Sequence, residues 1–213
     1  MGCSRRFMRA IFLKTQRLIA FVIIGIAIAA IGETQFSVFI RSDVGNLLAS
    51  IVFNALYLSL CCLVSNLLVK RFGDCVATIV LHVVIFGSTG LIIEWFLINN
   101  SPWAAPQASQ VGMFSFWSSM VVVPFVCLRP QACFTHLKKT ILLAVLVYTM
   151  VAIAIQLIPS PTLHFIYHIW AVILGYTALV SFSAVGYVRN LGRLIQSVCS
   201  TDSRPELSNS HYD

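Results

Sequence analysis

The stretch CVATIVLHVVIFGSTGLIIEWFLI, Cys75 to Ile98, decides the fold. It carries one carboxylate, one imidazole and no proline, and its apolar residues do not alternate with polar ones. A run of this kind matches the ~20 residues a helix needs to cross ~30 Å of hydrocarbon. In lipid each backbone N–H and C=O must find its partner inside the protein, which a helix achieves within one segment. Five further stretches read the same way: Leu18 to Ile40, Val44 to Val69, Ala108 to Leu128, Thr140 to Ile158 and Thr162 to Val188. The expected fold is all-α, a polytopic bundle of six transmembrane helices with no sizeable soluble domain.

Composition agrees with that reading. With 59% hydrophobic residues, 10% charged residues and a mean hydropathy of +0.90, the chain has too few polar groups to cover a soluble surface. A net charge of +7 would suggest nucleic acid in a soluble protein, but here the cations flank apolar runs, so no nucleic-acid partner is expected. Of the 14 Lys and Arg residues, all but Arg41 fall on one side of the six spans. That asymmetry places both termini in the cytoplasm. Residues 1–17 form a basic amphipathic N-terminus, 18–188 the transmembrane domain and 189–213 a short cytoplasmic tail that turns polar from Ser200. Phe7, Met8, Ile11 and Phe12 oppose Arg5, Arg6, Arg9 and Lys14, a face suited to anionic lipids.

All seven cysteines fall in the cytoplasm or the inner half of a span, as expected of thiols kept reduced. Ala27-Ile28-Ala29 could end a signal peptide, but apolar residues continue to Ile40, so a retained span is expected. The expected location is the cytoplasmic membrane of a bacterium.

Ionisable groups inside spans are costly and are candidates for function. Glu33 lies roughly 10 Å and Glu94 roughly 6 Å below the outer ends of their spans, at 1.5 Å per residue. His164 and His168 lie roughly 3 and 9 Å inside the sixth span from the same side. The four fall in one outer layer that could bind a ligand or protons. His164 and His168, four apart on one face, could also supply two ligands to a divalent metal, the one cofactor the sequence suggests. His82 lies nearer the inner side and reads as a separate buried hydrogen-bonding group. No catalytic residue is assigned.

Small residues at helical spacing, Gly25 and Ala29 in span one and Gly112, Ser115 and Ser119 in span four, read as helix-packing faces, open also to partner membrane helices. Pro124 should bend span four. Trp95, Trp103 and Trp170 suit an outer aromatic belt.

Thr78 with His82, His164 with His168, and Glu33 together resemble, at those positions alone, the pattern of the alkaline ceramidase type of intramembrane zinc hydrolase. That family has serine at the place of Thr78 and seven spans. The size and topology are similar to those of the vitamin-binding S-components of energy-coupling transporters. Three function classes follow: a protein handling a small solute or lipid through an outer-leaflet polar site, an intramembrane metal-dependent hydrolase using the histidine pair, and an accessory subunit whose polar groups are interhelical glue.

Overall fold

The computed structural model describes residues 2–40, 42–104, 109–130, 132–160, 162 and 170–202. Helix α1 (Gly2–Glu33) runs into a π-helical segment, Thr34–Ile40; α2 (Val44–Phe72), α3 (Val76–Phe96) and α4 (Gln110–Cys127) follow. A 3-10 turn (Ala132–Phe134) leads into α5 (Thr135–Gln156), and a second π segment (Ala171–Gly175) leads into α6 (Tyr176–Asp202). No strand occurs among the described residues. Among the described residues, five of these helices are long and apolar enough to cross a bilayer, and the chain is an integral, multi-pass membrane protein.

The ends follow local chemistry. Asp43 caps α2 by accepting from the Asn46 amide at 2.9 Å, and Ser109 caps α4 by accepting from Gly112 at 3.1 Å. Gly73, at φ 71°, closes α2 by donating to the Val69 carbonyl at 2.8 Å. The sixth stretch, expected to end near Val188, continues as helix to Asp202.

Helix α4 is the axis of the bundle. It packs against α1, α3 and α6, and every residue from Ser115 to Val126 is buried. Apolar tails give helices no hydrophobic reason to associate, so the packing depends on close approach. Gly87 and Gly90 of α3 face Phe114, Ser118 and Trp117, and a methyl group at either position would overlap those side chains. A Cβ on Gly25 would stand 2.6 Å from Leu58 and 2.9 Å from the Met120 carbonyl oxygen. Pro124 denies that carbonyl its helical donor, and Gly25 lets α1 approach it closely. Ala29 is buried close by. Toward α6, Ser115 and Thr177 hydroxyls lie 2.9 Å apart, and Gly112 approaches Ile173. Ser119 turns inward to donate to its own helix at the Phe116 carbonyl, 2.8 Å.

Helix α5 stands apart. It packs on α6, touches α4 only lightly, and turns Leu142, Leu143, Leu146, Val147 and Met150 outward.

Reporter fusions test the orientation. Cytoplasmic reporters placed after Phe72, Phe134 or Ser200 should be active, and reporters of the opposite compartment should be active after Asp43, Ala104 or Ser160. An outward-facing C-terminus would overturn the assignment.

Candidate functional site

Three groups of polar residues lie inside the bundle. The first centres on Glu94, buried near the end of α3. Its Oε1 accepts from the Trp117 indole at 3.0 Å and its Oε2 from the Asn100 side-chain amide at 2.7 Å, while its carbonyl accepts from the Asn100 backbone at 2.8 Å. Asn99, at φ 62°, turns the chain so that Asn100 can reach back. Gln110 extends the set, accepting from the Trp95 indole at 2.6 Å and donating to the Asn100 carbonyl at 3.3 Å. Trp103 packs 5.5 Å from Trp95 and is 70% exposed. Each Glu94 oxygen has a protein donor, so this group ties α3, α4 and the loop between them together.

The second lies on the other side of α4, where Phe116 rather than Trp117 points. The Tyr176 hydroxyl donates to the Ile28 carbonyl at 2.7 Å, and a Cβ on Gly32 would stand 2.8 Å from that hydroxyl. Glu33, half-buried, lies within electrostatic reach of Tyr176. The two π segments border this contact: the first begins at Thr34, two residues after Gly32, and the second ends at Gly175, next to Tyr176. A side chain bonded to a backbone carbonyl competes with the helical ladder, and π segments recur at functional sites. Inside the first segment Gln35 is only 1% exposed, and neither its Oε1 nor its Nε2 has a partner.

Beside this contact a cavity of ≈ 320 Å³ opens between α1 (Ile28, Ile31), α5 (Ala144, Val145, Tyr148) and the junction of the second π segment with α6 (Gly175 to Phe182). It exists because α5 leans on α6 and packs little against α1. Its lining is aliphatic and aromatic, with Tyr148 and Tyr176 supplying the hydroxyls.

The third lies at the end of the bundle where the α2–α3 turn meets the end of α4. Arg129 pairs with Asp74 at 2.9 Å, the Tyr187 hydroxyl donates to the same Asp74 oxygen at 2.8 Å, and the Arg129 guanidinium lies 4.0 Å from the Phe125 ring centre. Lys138 donates to the Arg129 carbonyl. Loop 73–75, the end of α4 and helix α6 are thereby joined. His82 packs 4.0 Å from Phe125, and its Nδ1 is 2.6 Å from the Thr78 carbonyl oxygen. A carbonyl only accepts, so Nδ1 carries the proton and Nε2, which has no partner, is an acceptor. Cys75 stands just before α3, its Sγ 3.3 Å from the Thr78 hydroxyl oxygen.

Of the four residues assigned to one outer layer, Glu94 joins the Trp117 side of α4 and Glu33 the Tyr176 side, whereas His164 and His168 lie outside the described residues. No three His, Cys, Asp or Glu side chains among the described residues stand close enough to share a metal ion. Trp117, Gln35 and Tyr176 are absent from the sequence-based candidates; the available signal was a polar or amphipathic group inside an apolar span. Arg129 counted there only as a topology signal.

Fold and interior together define a class, the polytopic α-helical membrane protein, here with an apolar cavity between its helices. Comparison with protein-family models, curated proteins and solved structures finds no match to the chain.

Proposed function

We propose that this protein handles a lipid, admitting one hydrocarbon tail sideways from the bilayer into the cavity between α1, α5 and α6. The cavity is the observation that carries the reading: at ≈ 320 Å³ it has about twice the volume of a ~150 Å³ apolar cavity able to bind benzene. From Gly175 to Phe182 it extends along eight residues, or about 10 Å. That is a third of the ~30 Å hydrocarbon thickness, room for part of a tail while the rest of the molecule stays in the membrane. A polar solute would find little to bond there. The outer-leaflet acids take supporting roles, with Glu94 holding the loop over the outer end of the bundle and Glu33 lying beside the cavity's tyrosine.

Filling the cavity tests this. Ala178→Trp should lower the amount of lipid that copurifies in mild detergent, measured by mass spectrometry of extracts, and should leave thermal stability within about 1 kcal/mol because the ring enters unfilled space. Equal lipid content in the two proteins would overturn the reading.

A further inference from the structure

Ile28 and Ile31 stand on the last turns of α1, and Gln35 follows four residues after Ile31, inside the π segment Thr34–Ile40. The first two line the cavity, and Gln35 stands one turn further out. Gln35 is 1% exposed, yet both ends of its amide lack any partner in the protein. Buried amides are almost always bonded, and those that are not call for an explanation. A glutamine that only filled space would be better replaced by methionine, which has nearly the same shape and no polar atoms. The residue stands in a π segment, a departure from regular helix that recurs where backbone is shaped for a ligand.

We infer that Gln35 recognises the polar end of the lipid whose tail enters the cavity, and that this end is an uncharged group able both to donate and to accept, an amide or a hydroxyl. The assignment rests on the lipid-handling reading above. A carboxamide offers an acceptor at Oε1 and donors at Nε2, so a partner with both functions satisfies it and a bare hydrocarbon or an ester satisfies it only in part or not at all. The tail sets how deeply the molecule enters, and the amide sets which molecules are retained.

The test compares dodecanamide with dodecane, which share a tail and differ at the polar end. Apparent affinities come from the concentration dependence of the thermal unfolding midpoint of the full-length protein in detergent. The wild type should bind dodecanamide about tenfold more tightly than dodecane, the value of a hydrogen-bond pair formed out of water. Gln35→Met and Gln35→Leu should bind the two equally, and each should be more stable than the wild type without ligand. If one variant fails to fold, the other gives the same comparison. Equal binding of both probes by the wild type, or an unchanged preference in the folded variants, overturns the role of Gln35 and leaves the cavity reading standing. Failure of the wild type to bind either probe overturns the cavity reading itself.

Discussion

Substituting alanine for Gly90 is expected to destabilise the bundle by about 3 kcal/mol, the upper end of what overpacking usually costs, and leucine should leave almost no folded protein. The missing side chain at Gly90 is the space that the Trp117 side chain fills. That ring has no route of escape. Tyr57 meets it edge-on at 4.9 Å, Phe116 at 5.7 Å, and its indole nitrogen is held by Glu94 at 3.0 Å. A methyl group must therefore separate α3 from α4, and the dispersion contacts that replace hydrophobic association in lipid are lost along the seam. Gly192 supplies the control, since nothing lies within 4 Å of a Cβ built there. Alanine at that position should be neutral or stabilising by up to about 1 kcal/mol through helix propensity. Thermal unfolding in detergent separates the two; equal midpoints would mean that the α3–α4 seam is looser than described.

The second large effect is expected at Glu94. Leucine there removes the acceptor for the Trp117 indole and for the Asn100 amide. Asn100 is partly exposed and can turn to water, but Trp117 is 2% exposed and cannot. The loss should be about 2 kcal/mol, set by the stranded indole donor, whereas Glu94→Gln keeps a carbonyl acceptor and should lose under about 1 kcal/mol. Combining Glu94→Leu with Trp117→Phe removes the stranded donor, so the double variant should be more stable than the sum of the two singles. If glutamine proves as damaging as leucine, the carboxylate acts through its charge and the hydrogen-bond account is wrong.

Helices were legible because a membrane span is written in one variable, apolarity over a length. The start of the second span at Val44 and the fourth span's extent both lie within two residues of the helices observed. The π segments were not legible, because apolarity over a length does not distinguish one helical ladder from another, and the Tyr176 to Ile28 bond that lies beside them spans 148 residues. Glu94 stood out as a carboxylate among leucines and isoleucines, but its partners depend on azimuth, which depends on helix order. Gln35 went unremarked for a related reason. An uncharged amide two residues from a carboxylate looks ordinary until its neighbours are known to leave it unpaired. Arg129 shows that one residue can serve twice, orienting the chain during insertion and pairing with Asp74 afterwards.

The central place of α4 constrains how the chain is made. Of the five bilayer-length helices it is the least apolar and the most enclosed, and its serines at 115, 118 and 119 face other helices. A ribosome delivers it after α1, α2 and α3 but before α6, which bonds Ser115 through Thr177 and covers the Phe116 side. For the time needed to synthesise and insert α5 and the first half of α6, that face has no permanent cover. A chain interrupted after α4 would offer quality-control proteases a marked substrate, so truncations ending between Arg129 and Gln156 should be degraded quickly even though every span already made is hydrophobic enough to stay in the membrane.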